Sequence, residues 1–213
     1  MKKSKPTIML IAIRQGHFSR EFLRGVLDAE VSGQDYNVWV VPPMEECGHL
    51  KACVSSQNVV GVIARGLAAE LVEFLDECRI PVVSIRGPQD TGMRAYGGIH
   101  VDDDLVARLA GDEFVRLNLR QWGFVGWQNV TWSEARKKSL LGFAQSNEVD
   151  AKVLSLSEQQ RFGWSGVSAI ASWVEMLGKP CGILACNDEA GVAVLHACKL
   201  AGLSVPEEVA VIG

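Results

Sequence analysis

Pro180–Gly213 reads PCGILACNDEAGVAVLHACKLAGLSVPEEVAVIG. Cys181–Ala185 is a short continuous apolar run, as in a strand covered on both faces. Asn187 or Asp188 then offers a side-chain cap for a helix predicted over Asp188–Ala201. Val209–Ile212 is a second apolar strand. A strand, a helix and another buried strand make one crossover unit of a parallel sheet.

Outward from this stretch, the same alternation runs back to the N-terminus. Strands are predicted at Thr7–Ile13, Tyr36–Val41, Val59–Ala64, Pro81–Ile85, Ile99–Val101, Gly123–Trp127 and Lys152–Leu156. Helices are predicted at Ser19–Val31, Gly48–Ser55, Ala68–Cys78, Leu105–Leu117, Ser133–Ser146 and Val167–Leu177. Phe22, Leu23, Val26 and Leu27 share one helical stripe, and Leu71, Val72, Leu75 and Cys78 another. Gly87–Gly98 is the longest turn-rich stretch. The pattern implies an α/β chain of two doubly wound parallel-sheet lobes, 1–101 and 102–213.

Composition narrows the classes. The chain has 213 residues, 48% hydrophobic and 22% charged, an ordinary globular balance. Its net charge of −4 makes it a poor nucleic-acid surface by itself. No apolar run approaches the ~18 residues of a membrane helix. MKKSKPTIMLIAI passes directly into RQGHFSR without a small-residue cleavage site, so it reads as a first strand and not a signal peptide. The six cysteines form no C-x-x-C pair and read as reduced, which with the missing signal peptide points to the cytoplasm.

Catalytic signatures are missing. There is no G-x-x-x-x-G-K-[ST], no G-x-G-x-x-G after a strand and no H-E-x-x-H. Gly163-Trp164-Ser165-Gly166 falls short of the G-x-S-x-G elbow. No catalytic residue, metal ligand or cofactor is therefore assigned. What remains is a set of polar and aromatic residues at strand ends, where open parallel sheets bind ligands. His17 and Phe18 follow the first strand; Ser19 beside them either caps the next helix or lines the site. Asp102 ends the strand entering the second lobe, and Asp103 and Asp104 suit a helix N-terminus. Trp127 ends the next strand and offers either lobe packing or an aromatic platform for a sugar ring. Arg136 lies on the first turn of the following helix. Asn187 and Asp188 offer the amide and carboxylate that a polyol needs.

Pro180–Gly213 resembles the signature stretch of lactose/galactose-repressor effector domains, in which a strand, N-D, a helix and G-L-x-V-P-x-x-V-x-V-I-G recur. PVVSIRG, HVDDD, WGFVGW and SEARKKSLLGF fit the same family in order. The start, without a DNA-binding head, is similar to the xylose-operon regulators, which carry AraC-type helices C-terminally. The resemblance implies the periplasmic-binding-protein type I fold, a small sugar effector held between two lobes, and a homodimer with Leu67–Cys78 as candidate interface. It implies a pentose, with xylose as one candidate, and DNA contacted through a domain not in this chain. Lobe closure would be transmitted to those DNA-binding helices. A C-terminally truncated effector domain is expected, because the family continues past V-I-G. The resemblance places Asp102, Asn187 and Asp188 in the cleft and His17 and Phe18 on the first-lobe wall. The family's usual Arg, three residues before the G-F pair, is Ser139 here; Arg136 lies one turn earlier on roughly the same face. The alternative is a periplasmic-type sugar-binding protein for transport.

Overall fold

The first strand, β1 (Thr7–Ile11), pairs in parallel with β2 (Asn37–Val41) on one side and β3 (Val59–Ala64) on the other. β-Branched residues dominate all three, and a parallel sheet covered on both faces favours them. The computed structural model describes residues 5–11, 17–31, 36–42, 47–64, 67–85, 96–161 and 163–213, with the side chains of residues 17, 18, 30 and 31 excepted. The chain divides into two compact units, Met1–Val101 and Asp102–Gly213.

In the first unit β4 (Val82–Ser84) and β5 (Tyr96–Gly98) complete a parallel sheet of order β2-β1-β3-β4-β5. The crossovers contain α1 (His17–Val31), α2 (Cys47–Ser56) and α3 (Ala69–Glu77). Met9, Ile11, Val41, Val62 and Val82 from the strands meet Leu50, Val54, Leu71 and Leu75 from α2 and α3. The second unit has β6 (Gln121–Trp127), β7 (Asp150–Leu156), β8 (Cys181–Ala185) and β9 (Val209–Ile212) in the order β7-β6-β8-β9, again all parallel. Its helices are α4 (Asp103–Arg116), α5 (Thr131–Ser146), α6 (Trp164–Glu175) and α7 (Asp188–Leu200).

Each sheet thus winds one way from its first strand and then the other. The reversal falls between β1 and β3 and between β6 and β8. Ligands of such sheets bind outside the carboxyl ends of the strands at that switch point. In the first unit those ends lead into 12–16 and 65–66, outside the described residues. In the second they lead to Trp127 and to Cys186-Asn187.

Two local expectations are corrected. The strand predicted at Ile99–Val101 lies instead at Tyr96–Gly98; its register with β4 ends at Ser84↔Gly98, and the Ile99 amide makes the last bond, to the Ser84 carbonyl. Ile99 and Val101 are then left exposed. Ser19 does not cap α1, because the helix already begins at His17 and Ser19 is buried in its first turn.

Candidate functional site

Arg136 of α5 joins the start of α4 to the β8–α7 junction at the carboxyl edge of the second sheet. α5 starts at Thr131, so Arg136 stands in its second turn. Its Nε donates to Asp103 Oδ1 at 2.8 Å and its Nη1 to the Cys186 carbonyl at 2.6 Å. Its guanidinium carbon lies 5.2 Å from the centre of the Trp132 ring. The pair with Asp103 is largely screened from water, with the side chains 16% and 20% exposed. A charge-assisted bond in that setting outweighs the exposed pairs elsewhere on the surface.

Both helix starts flanking Arg136 are capped by side chains chosen from the sequence. Asp102 Oδ1 accepts from the Leu105 amide at 2.9 Å, and Asn187 Oδ1 from the Ala190 amide at 3.0 Å. These caps satisfy amides that have no partner within the helix. Asp188, in the first turn of α7, is exposed beside Gly213: a Cβ built on Gly213 would lie 3.1 Å from Asp188 Oδ1. Asp102 also lines a groove of about 530 Å³ between α4 and α5, with Asp104, Arg108, Ser139 and Phe143. There Ser139 Oγ donates to Asp104. Ser139 therefore serves α4, while Arg136, one turn earlier, reaches the strand ends.

Trp127 requires a correction. It is only 3% exposed and belongs to the core of the second unit, so it presents no open face to a sugar. Its amide donates to Ser133 Oγ at 2.9 Å, and the Arg161 guanidinium carbon lies 5.6 Å from its ring centre. Packing and a cation take up the surface that a platform would need. His17 and Phe18 open α1; their side chains lie outside the described residues.

Cys186 lies at the centre of this group. Burial pushes its thiol up to about 11, against the hydrogen bond from Ser133 and the nearby charges of Arg136 and Arg161. It stays protonated at neutral pH and is no nucleophile. All six cysteines are free thiols. Among the described residues no cluster of His, Cys, Asp or Glu is placed to hold a metal ion, and no helix is long and apolar enough to cross a membrane.

Sequence reasoning placed Asp102, Asn187, Asp188 and Arg136 at this edge and missed Asp103, Ser133, Cys186 and Arg161. Asp103 had a signal, as a member of an acidic triplet at a helix start. Arg161 follows a strand whose outgoing loop belonged in the same search.

Residues 112–213 match the model of the periplasmic binding protein-like domain. The xylose operon regulatory protein of Haemophilus influenzae is 24% identical over 166 residues, covering 75% of this chain and 43% of that protein. The chain thus spans less than half the length of that relative. Among solved structures, the xylose-binding transcription activator xylR matches with a TM-score of 0.73 at 18% identity, over 99% of this chain and 54% of that one. A LacI family transcriptional regulator from Enterococcus faecium, solved with bound ribose, matches at 0.76 and 18% identity, over 98% and 77%. The likeness read from Pro180–Gly213 is borne out at the level of the fold. Residues 112–213 resemble a periplasmic binding protein-like domain, and the chain shares the periplasmic-binding-protein type I fold of those two solved structures.

Proposed function

We propose that this chain is the effector-sensing part of a sugar-responsive transcription regulator in the cytoplasm. The effector is a small sugar of pentose size, with xylose the first candidate, bound between the two lobes. Asp102, Arg136, Asn187 and Asp188 contact it from the second lobe, and His17 and Phe18 from the first. The chain carries out no catalysis. The sugar shifts the balance between open and closed lobes by as much as its affinity for the two differs. DNA-binding helices outside these residues read that shift, and the protein acts as a homodimer through the helix around Leu67–Cys78. The observation that carries the reading is the bridge of Arg136 to Asp103 and to the Cys186 carbonyl, at the switch point of a parallel sheet. The bridge holds a guanidinium beside Asn187 before any ligand arrives, and a preorganised donor costs little to engage.

Calorimetric titration with D-xylose, D-ribose and D-glucose tests the proposal. A pentose is expected to bind, and Arg136→Lys, checked for folding by its melting curve, to bind it about tenfold more weakly, the loss of one or two hydrogen bonds. No binding of any of these sugars, or an unchanged pentose affinity in the variant, would sink it.

A further inference from the structure

The second guanidinium of the strand-end group has a different environment from the first. Arg161 follows a short 3-10 turn, Glu158–Gln160, after β7. Its Nη2 donates to the Gln128 carbonyl at 3.0 Å and its guanidinium lies over the Trp127 ring. Its Nε is shut off from solvent and has no acceptor among the described residues. Arg136 is matched by a carboxylate; Arg161 has no carboxylate in ion-pair range among the described residues. Both charges are close enough to Cys186 to act on its thiol. The exposed Asp188 is already stabilised by the N-terminus of α7, where a carboxylate needs no cation.

A guanidinium carries five donors and a charge that never titrates. One carbonyl and one aromatic face do not satisfy it, and a half-buried cation without a counter-charge is costly. A neutral hydroxyl can accept a single bond but leaves the charge uncompensated. An oxyanion accepts two in parallel and neutralises the charge. We infer that Arg161 is the anion-recognising residue of this site and that the effector is a sugar carrying a carboxylate or a phosphate. The inference rests on the sugar-binding reading above and narrows its ligand class.

Titration of the full chain with D-xylose, D-xylonate and D-xylose 5-phosphate separates the cases, with inorganic phosphate as a further arm. At least one acidic sugar is expected to bind roughly tenfold or more tightly than xylose, and to lose part of that advantage as salt screens the pair. Which of the two binds identifies the oxyanion. Arg161→Gln should bring the ratio of acidic to neutral affinity close to one, while Arg161→Lys, which keeps the charge, should retain part of it. Xylose binding as tightly as both acids, or a ratio unchanged in Arg161→Gln, would overturn the inference and leave the sugar reading standing. Binding of none of the three sugars, or of inorganic phosphate as tightly as the sugar phosphate, would sink the sugar reading and the inference with it.

Discussion

The sheet β2-β1-β3-β4-β5 and the sheet β7-β6-β8-β9 share one winding, with the first strand inside and the second at the edge. Their packing material differs. The buried cluster described in the first unit is aliphatic, with Trp39, Phe74 and Tyr96 only partly buried at its margin. The second unit buries Phe114, Trp122, Phe124 and Trp127 outright. Phe114 and Trp122 lie 5.6 Å apart, Trp122 and Phe143 6.1 Å, and the Trp122 indole donates to the Leu119 carbonyl. Aromatic rows of this kind add pair energy beyond their buried area. They also need room, which glycines provide: the Phe114 ring lies against Gly182 of β8. The same winding is thus compatible with a core of exchangeable aliphatics or with one of interlocked rings.

The contrast breaks most readily at Phe114, which is fully buried. Phe114→Ala is expected to cost about 3–5 kcal/mol. Chemical denaturation followed by tryptophan fluorescence reads this directly, because five of the six tryptophans lie in 102–213. A loss below about 1 kcal/mol would mean that the ring row relaxes like an aliphatic core.

Glycine substitutions are expected to change sign between the units. A Cβ at Gly182 would lie within 2.5 Å of the Phe114 ring, and that ring is enclosed. Gly182→Ala should destabilise by about 1–3 kcal/mol through overpacking. Gly25, inside α1, has nothing within 4 Å of the same position. Gly25→Ala should stabilise by about 0.5–1 kcal/mol, since a helix interior favours Ala. Denaturation midpoints of the two variants, moving in the same direction, would remove the distinction.

Val59–Ala64, Cys181–Ala185 and Val209–Ile212 have the bounds expected of them, because each is an apolar run stopped by turn residues. β6 starts at Gln121, two residues before the apolar run suggested, since Gln121 pairs with Asp150 and Cys181 through backbone and amide bonds that leave no hydrophobic trace. The caps Asp102 and Asn187 were legible because residue type and position coincide. Arg161 was not. A loop cation has no periodicity, and it meets Trp127 only because β6 and β7 run in register, Trp127 opposite Leu156. The burial of Trp127 was equally hidden, as its loop suggested exposure while Ser133 and Arg161 close over it.

A further effect, confined to alkaline pH, comes from the thiols of the second unit. Burial raises Cys181, Cys186 and Cys198 above the ordinary thiol value, Cys186 to about 11. For an acid whose folded value is raised, the folded state keeps its proton where the unfolded chain has lost it. Stability is then complete below the unfolded value of 9.0, falls as pH rises through the interval, and levels off above about 11. At pH 10 the Cys186 contribution amounts to a loss on the order of 1 kcal/mol. Cys186→Ala removes this group while keeping a small apolar side chain at the end of β8. Denaturation of the wild type and the variant at pH 8 and pH 10, read by the second-unit tryptophans, isolates the thiol. The wild type should lose more than the variant over that step. Equal losses would mean that the Cys186 thiolate is as well tolerated in the fold as in the unfolded chain, with Arg136 and Arg161 offsetting its burial, and the strand-end group would then accept a negative charge at its centre.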